Sequence, residues 1–144
     1  MKPGDFLTQL DDAAVVLAIQ QAETKTSGEI RVFVSHRAVA DPVAAAQKHF
    51  HKLRMNRTRD RNGVLIFVAP RSQKFAIFGD LGVHEKCGNV FWSQVALEMT
   101  ERFKKSEWTS AVTHAIGKAG ELLAEHFPRR PDDVNELPDK VERD

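Results

Sequence analysis

Six consecutive apolar residues, Val64 to Ala69, are closed by Pro70 and preceded by a charged stretch, Arg57-Thr-Arg-Asp-Arg-Asn-Gly63. A strand that is apolar at every position has no face to give to water, so it predicts the middle of a sheet covered on both sides. The neighbouring segments fit around it. Ile30, Val32 and Val34 alternate with Arg31, Phe33 and Ser35 after the Ser27-Gly28 break, which reads as a β-branched strand entered at Glu29. Asp41-Pro42 marks a helix start, with Asp as the cap and Pro at the first helical position, and Val43, Ala46, Phe50 and Leu53 form its expected buried side. Strand, helix and buried strand make a βαβ unit, which sets the two strands parallel with a right-handed crossover. Pro70 to Gln73 is too short for a crossover, so Lys74–Gly79, with Phe75 and Ile77 on one face, is expected to pair antiparallel and end in a turn at Gly79-Asp-Leu-Gly82.

Helical spacing accounts for the rest. Asp5 is expected to cap a first helix with the stripe Phe6, Leu10, Ala14, Leu17 and Ala18. Asn89 is expected to cap a helix with Trp92, Val95, Met99 and Phe103, and Ser106 one with Trp108, Val112, Ala115, Ala119, Leu122 and Phe127. Gly117 and Gly120 each weaken that last helix by up to about 1 kcal/mol relative to Ala, which suggests a flat patch where another backbone comes close. Pro128 stops it. The order αβαββαα predicts a three-layer α/β/α sandwich: a small mixed sheet, a parallel βαβ plus an antiparallel strand, with helices on both faces. Residues 1–128 read as one α/β domain. Residues 129–144, rich in prolines and acids, read as an acidic irregular tail that can fold back on the basic run from Lys48 to Lys74.

Composition narrows the function. With 144 residues, 42% hydrophobic and 28% charged, the chain is long enough for one substantial core. A formal charge of +1 gives no bulk footprint for nucleic acid. The single Cys87 cannot form an internal disulfide, no segment approaches the roughly 20 apolar residues that span a bilayer, and the N-terminus lacks an apolar signal region, so a soluble, cytoplasmic protein is expected.

Topology brings chemistry together. Parallel strands enter the sheet at one edge, so Glu29 and Asn62-Gly63 lie there, and the antiparallel strand exits there at Asp80. Three loops thus converge, carrying Glu29, Asp60, Arg61, Asn62 and Asp80, with His84 and Glu85 just beyond. The carboxylates of Glu29, Asp60 and Asp80 suit Mg²⁺ or Ca²⁺, which take oxygen ligands. Arg61 and Asn62 suit an anionic substrate such as a phosphate, leaving Asp60 and Asp80 as catalytic candidates for metal-assisted hydrolysis. The plainer reading pairs Asp60 with neighbouring arginines, for about 0–1 kcal/mol, and gives Asp80 to the turn. His49-x-His51 would point apart on a helix, His84-x-x-Cys87 lacks a second pair for zinc, and Trp92 and Trp108 sit on core stripes. No phosphate-cradling glycine loop and no marked nucleophile is present.

Thr58-Arg-Asp-Arg-Asn-Gly-Val-Leu-Ile, Phe75-Ala-Ile-Phe-Gly-Asp-Leu-Gly-Val83, Phe91-Trp92 and Phe127-Pro with Asn135-Glu-Leu-Pro-Asp139 resemble the TPM domain family, over about Thr24 to Asp139. The resemblance implies an α/β/α sandwich. It also implies several roles: a plant thylakoid-lumen member is described as an acid phosphatase, some relatives bind divalent metals, and an animal member is an auxiliary protein of a receptor. Familiar members carry a targeting segment and often an Asp directly before the buried strand; here Asn62 holds that place and Asp60 stands two residues earlier. Two functions are therefore carried forward: a divalent-metal-binding or protein-interaction module, with the acidic tail as a docking segment, and a metal-assisted phosphatase.

Overall fold

The computed structural model describes residues 10–88, 90–131 and 139–144. Its elements are α1 (Asp12–Glu23), β1 (Glu29–Val34), α2 (Pro42–Lys52), β2 (Gly63–Ala69), β3 (Lys74–Gly79), α3 (Leu81–Cys87), α4 (Val90–Lys104), α5 (Trp108–His126) and β4 (Glu142–Arg143). They form an α/β/α sandwich on a mixed sheet of order β3-β2-β1-β4. β2 pairs parallel with β1 and antiparallel with β3, as the connection lengths require.

Every residue of β2 is buried. The pleat divides them: Val64, Ile66 and Val68 meet Val15, Ile19, Met99, Val112 and Ile116 from α1, α4 and α5, while Leu65, Phe67 and Ala69 meet Ala46 and Phe50 of α2 and Met55. At about 1.5–3 kcal/mol for each large side chain buried, these two half-cores outweigh any surface ion pair. Asp41 caps α2 by accepting from the Val43 and Ala44 amides, both at 3.1 Å, with Pro42 at the first position. Gly120 allows α5 to lie against α1, since a Cβ there would come 2.7 Å from Ala22 Cβ. Gly117 has no such neighbour.

Several expectations change. Asp5, Phe6 and Asn89 lie outside the described residues, and among the described residues α1 starts at Asp12, its cap being Asp11, which accepts from the Ala14 amide at 3.0 Å. The run Ala13–Ile19 is apolar throughout and fits more than one helical face. Val15 and Ile19 take the inner one, and Leu17 stays 54% exposed. Val43, at the first turn of α2, is likewise exposed. Ser106 is not the cap of α5: it sits in the left-handed region at φ 60° and the helix begins after Glu107. Gly79-Asp-Leu-Gly82 opens α3, a short helix, instead of making a simple turn.

The tail is not wholly irregular, and its described acids from Asp139 to Asp144 pair with Arg31, Ser35, His36 and Arg37, while Arg130 reaches Asp60 within the basic run. Glu142 and Arg143 add a fourth strand parallel to β1. Arg143 also forks onto Asp12, at 2.7 and 2.8 Å. Asn135 to Pro138 of the proposed docking segment lie outside the described residues. No helix of the described residues is long and apolar enough to cross a membrane.

Candidate ligand edge at the amino ends of the parallel strands

The three loops do converge. The register places Glu29 beside Gly63 and Val64 beside Gly79. Backbone hydrogen bonds then stitch the edge: the Asp80 amide donates to Gly63 O at 2.9 Å, and the Gly82 amide to Arg61 O at 2.9 Å. The approach is so close that a Cβ on Gly82 would stand 2.6 Å from Asp60 O and 2.7 Å from Arg61 O, so glycine is required. Arg61 itself adopts φ 51°, a left-handed conformation that a non-glycine residue holds only when its surroundings fix it.

Asp80 is 4% exposed and fully engaged. One oxygen accepts from the Leu81 amide at 2.7 Å and caps α3. Both oxygens accept from Arg61, Nε at 2.8 Å and Nη2 at 2.9 Å, a bidentate fork that pushes the guanidinium pKa further up. Asp60 is held by Arg130 Nη2 at 2.6 Å. Asn62 is 1% exposed; its amide nitrogen donates to Ser27 Oγ at 3.2 Å, and its Oδ1 has no hydrogen-bond partner among the described residues.

A fourth loop joins these three, from the end of α5. The Ser27 amide donates to Phe127 O at 2.9 Å, and the Thr26 hydroxyl donates to the same oxygen. Between the four loops lies a cleft of about 340 Å³ whose polar lining includes Ser27, Asp60, Glu85, Lys86, His126 and Arg130. Lys86 lies over the Phe127 ring, 4.7 Å from its centre. Sequence reasoning missed Lys86, His126 and Arg130. The available signal was Arg129-Arg130 directly after the Pro128 helix stop, facing an acid-bearing loop.

Glu29 is 3% exposed and belongs to a second group of acids. Glu23, at the end of α1, accepts from the Ile30 amide at 2.9 Å. Its carboxyl pKa is pushed up to about 10, first by burial, then by a hydrogen bond with Asp139 and by the charges of Glu29 and Asp139; the Ile30 hydrogen bond opposes this. Glu23 therefore keeps its proton at neutral pH. Among the described residues, no group of three or more His, Cys, Asp or Glu side chains is arranged to hold a metal ion. Asp60 and Asp80 are each turned to an arginine.

The other candidates are structural. His49 stacks on Phe33 at 4.0 Å between ring centres, and burial lowers its pKa. His51 meets the edge of Phe50 instead. His84 is exposed against Phe78, and burial raises the pKa of the Cys87 thiol. Trp108 is core, and Trp92 is partly buried against it.

Fold and edge together define a small α/β/α domain with a loop-built cleft at the amino ends of its parallel strands. The chain belongs to the TPM domain family, whose model matches residues 1–122. It is 36% identical to the BA42 protein of the psychrophilic bacterium Bizionia argentinensis, whose NMR structure superposes with a TM-score of 0.87 over 94% of this chain and 96% of that one. The N-terminal domain of the Corynebacterium glutamicum protein cg2496, at 11% identity, superposes with a TM-score of 0.61 over 93% of this chain and 80% of that one, a likeness of fold. No curated protein sequence matches.

Proposed function

We propose that this TPM domain is a binding module whose ligand edge is formed by Glu29, Asp60–Asn62 and Asp80 together with the loop after α5. The observation that supports it is the cleft itself: four loops tied by backbone hydrogen bonds around Ser27, Asp60 and Arg130, with the obligatory Gly82 in its lining and the strained Arg61 next to Asp60 in the chain. Rigid, strained loops at a cleft are how a domain presents a binding surface. A mixed lining of acids and bases suits a partner protein bearing both charges.

Divalent-cation binding is the narrower form of this reading. As the carboxylates stand, Arg61 and Arg130 occupy the places an ion would take. Mg²⁺ or Ca²⁺ would have to displace both arginines and gather Glu29, Asp60 and Asp80, and weak binding is expected. Titrating either ion while following backbone NMR shifts tests it. Shifts clustered at Glu29, Asp60 and Asp80 support the cation; shifts spread evenly over the chain remove it and leave the protein-binding form.

The alternative is a metal-assisted phosphatase, favoured by Arg61, Lys86 and Arg130 standing beside Asp60. An aryl phosphate assay on wild type and on Asp80→Asn, which retains a capping oxygen, separates the two. No turnover is expected. Turnover that disappears in the variant would replace the binding reading by the enzymatic one.

A further inference from the structure

At the opposite end of β1 the tail is held by polar groups, and the arrangement is that of a bound acidic ligand. Arg31 is 3% exposed, and its Nε has no hydrogen-bond partner among the described residues. A buried guanidinium needs a counter-ion, since desolvation strongly disfavours the lone charge. The acids acting on Arg31 are Glu142, which it pairs with directly, and Asp139, and both belong to the tail. Four to six residues beyond Arg31, just past the end of β1, a second cradle receives Asp144. The Ser35 hydroxyl donates to Oδ2 at 2.5 Å, the His36 amide donates to Oδ1 at 2.9 Å, His36 Nδ1 lies 2.5 Å from Oδ1, and Arg37 Nε stands 3.9 Å from Oδ2. A backbone amide, a hydroxyl, an imidazole ring and a guanidinium converging on two oxygens make a carboxylate site.

Glu142 and Asp144 are two residues apart, so on an extended chain they share a face. Pairing of Glu142 with Phe33 and of Arg143 with Val34 sets the strand direction. The site lies at the carboxyl end of a parallel strand, where open α/β sheets bind their ligands.

We propose that the edge of β1, from Arg31 to Arg37, is a strand-docking site for an extended acidic segment with the spacing Glu-x-Asp, supplied in trans by a partner protein, and that residues 139–144 occupy it in cis as a competing internal ligand. Three observations carry this: the buried cation whose charge partners both come from the tail, the built carboxylate cradle, and the seated segment that shows what fits. This proposal is independent of the cleft at the amino ends.

A tethered segment acts at an effective concentration in the millimolar range, so it masks the site from dilute competitors. The test uses the full chain and a fluorescently labelled peptide, Asp-Lys-Val-Glu-Arg-Asp, with both ends blocked. In the release variant Glu142→Gln/Asp144→Asn the internal ligand loses both carboxylates. Anisotropy should then show the peptide binding roughly tenfold more tightly than to wild type. A peptide with Gln and Asn in place of its Glu and second Asp should not bind, and adding His36→Ala to the release variant should weaken binding again. A folded release variant that ignores the peptide, or that takes the neutral peptide equally well, overturns the proposal. If the release variant loses its circular dichroism, wild type with millimolar peptide is read by NMR: shifts at Ser35 and His36 support displacement, and unchanged signals overturn it. A wild-type chain that is dimeric in sedimentation, with the dimer lost in the release variant, names a second copy as the occupant and overturns the assignment to a partner.

Discussion

The two ends of β1 are built from different materials. At the amino end, β1, β2 and β3 are joined to their loops by main-chain hydrogen bonds, and glycines at positions 63 and 82 let backbones approach closely. At the carboxyl end, Asp144 is held by the Ser35 hydroxyl, by the His36 amide and ring and by the Arg37 guanidinium, so side chains supply most of its contacts. Main-chain contacts cannot be exchanged without unfolding the loop that makes them. Side-chain ion pairs can be, because water and salt compete for both partners. One end is therefore suited to hold a fixed shape, and the other to release and recapture a segment.

The sharpest way to break the rigid end is Gly82→Ala. The new methyl would press on the Asp60 and Arg61 carbonyls, neither of which can rotate away. Overpacking against backbone costs about 1–3 kcal/mol and lies at the top of that range here. Urea unfolding should show a loss of roughly 3 kcal/mol, with the largest NMR shifts at residues 60–62. A loss under about 0.5 kcal/mol would mean the loop yields, and the rigid end would then be no different from the other.

Glu23 links the two regimes, since it joins the Ile30 amide at the amino end to Asp139 at the start of the docked segment. Its carboxyl pKa is raised from 4.5 to about 10, so the folded chain holds a proton that the unfolded chain releases. The unfolded state then binds fewer protons, and stability falls as pH rises through that window. One proton gives a slope approaching about 1.4 kcal/mol per pH unit. Glu23→Gln keeps an acceptor for Ile30 and a donor for Asp139 without the titration. Unfolding measured at pH 6, 7 and 8 should give a clearly shallower decline for the variant. Equal slopes would show that Glu23 is ionised in the folded state.

The same contrast explains what the sequence made legible. The unbroken apolar run Val64–Ala69, the Asp41-Pro42 cap and the short Pro70–Gln73 connection set the sheet, its register and hence the meeting of Glu29, Asn62 and Asp80. These are backbone consequences of local patterns. The tail left no such trace. Its strand is two residues long, it buries little apolar surface, and its anchors are polar groups whose partners lie more than 100 positions away. α3 was hidden for a related reason: Gly79-Asp-Leu-Gly82 has turn composition, and Val83 is the one fully buried side chain of that helix. The pairing of Asp60 with Arg130, 70 positions on, was equally silent, although it decides what the cleft offers a ligand.

Asp144→Asn is the smallest perturbation and the most selective. The side chain keeps its shape and an oxygen for the His36 amide, while the charge that meets His36 and Arg37 is lost. Burial opposes ionisation of Asp144, but the hydrogen bonds from Ser35 and His36 prevail and hold its carboxyl below the ordinary 3.8. Its contribution is therefore present above that value and fades as pH falls through the lower folded value. Exposed pairs are worth about 0–1 kcal/mol, so global unfolding should move by less than about 1 kcal/mol. Local opening should respond far more: amide exchange at His36 should quicken several-fold at neutral pH, with Asp80 and Gly82 unchanged. In wild type, lowering the pH below the folded value of Asp144 should reproduce the local loosening, once rates are corrected for intrinsic exchange. Equal quickening at both ends would mean that the sheet opens as one unit and that its carboxyl end has no separate release.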